Sequence, residues 1–85
     1  MALIIDFSEG WHLQTKRDIE SALRKCIAEP PGGENWVVSL AAGFAQNYCE
    51  VRVTTPTQTR RRFFFEEPGH LPKVITDWIN LYPLR

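Results

Sequence analysis

The 85-residue chain carries ten basic and ten acidic residues, which cancel, and 44% of it is apolar, including three Trp, five Phe and two Tyr. That length fits one domain over residues 1–85, and the apolar content excludes an intrinsically disordered chain. A neutral chain offers no global attraction for nucleic acid or an anionic membrane, so any such argument has to be local.

Residues 3–7 place Leu3, Ile5 and Phe7 on one side and Ile4 and Asp6 on the other, the alternation of a short first strand. The start has neither a basic region nor a long apolar run, so it reads as neither a signal peptide nor a membrane span, and a cytoplasmic location is expected. Residues 8–12 break the pattern, with a turn expected at Gly10.

From Thr15 the period changes. Ile19, Ala22, Leu23, Cys26 and Ile27 recur at helical spacing, opposite Lys16, Arg17, Glu20, Arg24 and Lys25. Thr15 and Asp18 resemble a capping box, and Glu20 stands four residues before Arg24 for an ion pair. Pro30-Pro31-Gly32-Gly33 has to end this helix.

Three strands are predicted next, at 36–42, 48–55 and 58–67, separated by turns at 43–47 and 55–58 short enough for antiparallel hairpins. In the middle strand Cys49, Val51 and Val53 form the inward set, while Tyr48, Glu50, Arg52 and Thr54 face outward. A three-residue turn centred on Thr57 would bring Phe63 and Phe65 inward with Arg61, leaving Arg60, Arg62 and Phe64 outward. Helical spacing returns with Leu71, Val74, Ile75, Trp78, Ile79 and Tyr82; Pro72 suits the first helical position and Pro83 the end.

The fold class that follows is α+β in the order β-α-β-β-β-α: an antiparallel three-strand meander, one N-terminal strand, and two helices on one sheet face. From the first helix onward the order α-β-β-β-α is similar to that of double-stranded RNA-binding domains. The second helix here opens with Gly69-His70-Leu71-Pro72-Lys73, a single lysine where that family has a phosphate-gripping cluster.

Arg60-Arg61-Arg62-Phe63-Phe64-Phe65 is the most distinctive stretch. In the expected register Arg60, Arg62 and Phe64 join Tyr48 and Arg52 on an exposed sheet face, the candidate binding residues. Such a face suits a protein partner or self-association; the alternative is RNA or single-stranded nucleic acid, held by base stacking and phosphate contacts. A third reading is that the arginines only solvate the strand and protect its edge, with Phe64 under a loop.

No catalytic motif, phosphate loop, metal-ligand spacing or cofactor signature is present, and no small-molecule substrate is evident, so a non-catalytic protein is expected. The only polar set able to supply acid and base chemistry is Asp6, Glu9, His12 and His70 at one end of the fold. Cys26 and Cys49 are in phase with apolar neighbours and read as small buried hydrophobes, with a bridge as the alternative if helix and strand touch. Trp11, Trp36 and Trp78 are expected in the core or over it, Trp36 facing in only if Val38 and Leu40 do.

Overall fold

A computed structural model describes residues 2–27, 33–43 and 48–81. In chain order these form β1 (Ala2–Phe7), α1 (Leu13–Cys26), β2 (Asn35–Gly43), β3 (Tyr48–Thr54), β4 (Thr59–Phe64), a 3-10 turn (Pro68–His70) and α2 (Leu71–Leu81). The order is the predicted β-α-β-β-β-α. The four strands lie in the sheet in sequence order, with β1 parallel to β2 and the other two pairings antiparallel. The sheet is therefore mixed: the meander is as expected, and α1 is the crossover that returns the chain so that β1 and β2 run the same way.

Gly10 makes the turn from β1 to α1 at φ 91°, a backbone region that residues with a Cβ rarely enter. The helix starts at Leu13, earlier than Thr15, so Thr15 and Asp18 form no capping box. His12 caps it through its backbone alone, its carbonyl accepting from the Lys16 N–H at 3.0 Å, while Asp18 accepts from the Gln14 amide at 2.9 Å. The expected Glu20–Arg24 pair forms at 3.1 Å, and Arg24 also donates to the Leu3 carbonyl at 3.3 Å. In α2 the proline is the second helical residue, still within the first turn, where its missing N–H costs no hydrogen bond. Tyr82 and Pro83, the turn at 44–47 and the Pro30 to Gly32 stop lie outside the described residues.

Both helices cover the same sheet face and run in the same direction. Thr15 and Leu71, near their starts, line one cleft; near their ends the Cys26 thiol donates to Asn80 Oδ1 at 3.2 Å. The core between helices and sheet holds Ile19, Leu23 and Ile27 from α1 and its C-terminal edge, and Leu71, Ile75, Trp78 and Ile79 from α2. The sheet contributes Trp36, Val38, Leu40, Cys49, Val51, Val53 and Phe64. Trp36 thus faces in with Val38 and Leu40, its indole N–H held by Glu34 at 2.9 Å. Trp11 closes the core beside Phe7, edge to face at 5.5 Å, and donates to the Leu40 carbonyl at 3.2 Å. Both cysteines are free: Cys26 sits between the helices and Cys49 under them on β3.

The β3–β4 hairpin departs from the predicted register. Thr54 pairs with Thr59, and the Thr55 N–H donates to the Gln58 carbonyl at 2.8 Å, which leaves Pro56 and Thr57 as a two-residue turn. Thr55 is buried, and its hydroxyl accepts from the Gln58 N–H at 3.2 Å, tying the turn from inside. The shift is one residue, and in a strand one residue exchanges the two faces. Arg60, Arg62 and Phe64 therefore lie on the helix side with Cys49, Val51 and Val53, while Arg61, Phe63 and Phe65 face away. A single Phe fills the inner site: Phe64 meets Trp78 edge to face at 5.8 Å. β4 is an edge strand, and its two helix-side arginines stay in reach of water: Arg60, half-buried, donates to Gln58 Oε1 at 3.1 Å, and Arg62, exposed, holds its guanidinium 5.2 Å from the Phe64 ring.

Candidate functional site

The face of the sheet opposite the helices is built in rows by the strand register. Asp6, Ser39, Arg52 and Arg61 form one row; Ala41, Glu50 and Phe63 form the next; Gly43 and Tyr48 form a third, against which Phe65 lies. Arg52 and Arg61 stand directly opposite each other, which is unfavourable for two like charges. Glu50 relieves it, its carboxylate 3.4 Å from Arg61 Nε and 3.8 Å from Arg52 Nη2.

Beside this charged row three rings gather. Tyr48 lies 6.1 Å from Phe63 and 6.0 Å from Phe65, centroid to centroid, and the Arg61 guanidinium is 5.9 Å from the Phe63 ring. Phe63 keeps 46% of its surface in water and Phe65 keeps 68%. Exposure forfeits part of the roughly 2 kcal/mol that full burial of such a ring would supply, under half of it for Phe63 and about two thirds for Phe65. Of the predicted binding residues, the structure brings Tyr48 and Arg52 onto this face. It places Arg60, Arg62 and Phe64 on the other, with Phe64 in the core.

The proposed acid and base set does not converge. Asp6 sits in the outer row, whereas His12 is at the start of α1 on the helix side and His70 is exposed in the 3-10 turn. His12 instead shares a cleft of about 190 Å³ with Trp11, Cys49, Glu66 and Leu71. Burial, with a smaller contribution from the Glu50 charge, pushes the Cys49 thiol up to about 12, so it stays protonated and is a poor nucleophile. Burial also raises the Cys26 thiol.

The chain matches no family model, no curated protein and no solved structure.

Among the described residues no helix is long and apolar enough to cross a membrane, and no three His, Cys, Asp or Glu side chains gather as a metal site. Periodicity places Glu50 on the outer face but misses Arg61, Phe63 and Phe65 as members of the outer site. The signal that finds them is Thr55. It continues the inward alternation of Cys49, Val51 and Val53, and this leaves Pro56-Thr57 as the turn, the two-residue length most common in hairpins.

Proposed function

We propose that this chain is a non-catalytic protein-interaction module whose contact surface is the aromatic end of the outer sheet face. Tyr48, Phe63 and Phe65 form its centre, and Arg52 and Arg61 flank it. The observation that carries this reading is the 68% exposure of Phe65 within a cluster of three touching rings. Tyr, Phe and Arg are the residue types enriched at the cores of protein interfaces, where burial recovers the free energy that exposure forfeits. Nucleic acid is the weaker reading, because Glu50 lies within 4 Å of both arginines of the face and the chain is neutral. The absence of a reactive thiol and the separation of Asp6 from His12 favour binding over catalysis.

The test compares affinity purification with wild type and with Phe65→Ser from the native cells, after equal thermal stability of the two has been checked. A specific protein, which includes a second copy of this chain, should be retained by wild type and lost by the variant. Equal retention by both would overturn the assignment of the face. A salt-sensitive shift of single-stranded RNA by wild type, with no Phe65-dependent protein, would favour nucleic acid instead.

A further inference from the structure

The strand β4 is the sheet edge on the side of α2, and among the described residues no strand pairs with its outer side. An unpaired edge carries a row of backbone donors and acceptors able to template another strand. Between this edge and α2 runs a groove of about 350 Å³, lined by Arg62, Phe64, Glu66, Val74, Trp78 and Leu81 among others, in which Leu81 is 72% exposed. Strand β4 ends at Phe64, and three residues on Glu67 has extended backbone, with φ and ψ of −64° and 149°.

Through β4 and the three residues that follow it the sequence reads Arg60-Arg61-Arg62-Phe63-Phe64-Phe65-Glu66-Glu67, with cations at one end, rings in the middle and acids at the other. Such a string is complementary to itself when reversed. We infer that the partner is a second copy of this chain, joined by antiparallel pairing of the two β4 edges about a two-fold axis at Phe64 and normal to the sheet. This inference rests on the protein-binding reading and names its partner.

The register follows from symmetry and charge. A two-fold axis normal to the sheet keeps each face on its own side, so helix-side residues must pair with helix-side residues and outer with outer. Centring on Phe64 sets Arg62 opposite Glu66 of the second copy on the helix side. On the outer side it sets Arg61 opposite Glu67, and Phe63 opposite Phe65. Each contact occurs twice. Moving the centre to Phe63 retains only Arg60 against Glu66, and moving it to Phe65 retains no Arg–Glu pair. Centring on Arg62 sets that residue against its own copy, and parallel in-register pairing stacks all three arginines on their copies.

Charge thus selects one alignment out of many, while backbone hydrogen bonds and the rings supply the attraction; exposed ion pairs add little by themselves. Packed helices lie about 8–10 Å apart, close to twice the spacing of neighbouring strands, so a sheet continued through the seam has room for the second α2 beside Leu81, over the groove. The assembly closes at two copies because each chain has one such edge. The other edge, β1, carries no matching string, and the Leu3 carbonyl there is engaged by Arg24.

Charge reversal tests this. Two variants, Arg61→Glu with Arg62→Glu, and Glu66→Arg with Glu67→Arg, each place like charges across the seam, and their dimerisation should weaken about tenfold or more by sedimentation equilibrium. An equimolar mixture of the two restores opposite charges at every position and should sediment as a heterodimer with wild-type affinity. The fourfold exchange within one chain should recover the homodimer, and circular dichroism melts verify that all variants are folded. Wild type that stays monomeric at the highest concentration it tolerates, or a mixture that stays monomeric, overturns the inference. If wild type is monomeric yet retains a different protein that Phe65→Ser releases, the protein-binding reading stands and only the self-pairing fails. If wild type is monomeric and no Phe65-dependent partner exists, both fail.

Discussion

The two faces of the sheet are made by the same strands one residue apart; on β3 they have opposite chemistry, and on β4 they do not. On β3 the inner face is Cys49, Val51 and Val53, all at 1% exposure or less, while the outer face carries Tyr48, Glu50, Arg52 and Thr54; β2 keeps Trp36, Val38 and Leu40 inside and has Val37 and Ala41 beside Ser39 outside. On β4 both faces mix the two kinds, with Arg60, Arg62 and Phe64 inside and Arg61, Phe63 and Phe65 outside. A central strand has to bury one whole face, but an edge strand can send arginine heads past its rim, so the usual constraint on its inner positions is relaxed. The consequence is a strand whose outer rings are not dictated by folding. Residues that folding does not require, and that leave apolar surface in water, are where an interaction function is to be sought.

The sharpest way to break the comparison is to cut the inner side. Leu23 on α1 is fully buried over the sheet, and Leu23→Ala should cost about 3 kcal/mol through lost transfer free energy and the cavity left behind. Urea denaturation would show it as a lowered midpoint at unchanged slope. For a chain this small that is a large share of its total stability.

A second effect, spread over about three pH units, probes the inner face through pH. The Cys49 thiol moves from its ordinary 9.0 to about 12 on folding, so below pH 9 it is protonated in folded and unfolded chains alike and its contribution is fully present. As pH rises from 9 towards 12 the unfolded thiol ionises first, and stability falls by up to about 1.4 kcal/mol per pH unit. Subtracting the profile of Cys49→Ala isolates this slope from other groups that titrate there. Equal profiles for the two proteins would show that Cys49 is not sheltered in the core.

How much of this was legible in the sequence depends on which interactions decide each feature. The stripes of α1 and α2 and the alternation of β3 are written in residue spacing, because each element has one face in water and one against the core. The place of β1 is not, since which edge a strand joins is a tertiary choice that leaves no mark on its own pattern. The helix start was displaced because His12 caps α1 by its backbone, and a backbone cap has no side-chain signature. The β4 register failed for a subtler reason: three arginines followed by three phenylalanines contain no alternation, so either register buries a ring. What decided it was the turn, through the buried Thr55 hydroxyl, and the site expected at Arg60, Arg62 and Phe64 moved with it to the neighbouring residues.

The smallest expected effect bears most directly on the difference between the faces. Phe65 and Phe64 are adjacent and chemically identical, yet Phe64 is 6% exposed against Trp78 while Phe65 is 68% exposed beside Tyr48. If the outer rings are retained for binding and not for folding, Phe65→Ser should leave the unfolding free energy of the monomeric chain, from urea denaturation, within about 0.5 kcal/mol of wild type. The same change at Phe64 should cost several times as much, because it both empties a core site and buries an unpartnered hydroxyl. A loss above about 2 kcal/mol for Phe65→Ser, measured at a concentration where no self-association occurs, would mean that the ring belongs to the core, on the scale of a fully buried side chain. That outcome would remove the reason for looking to the outer face at all, whereas a neutral result shows that folding does not hold Phe65 in place and keeps the outer rings as the surface to test for a partner.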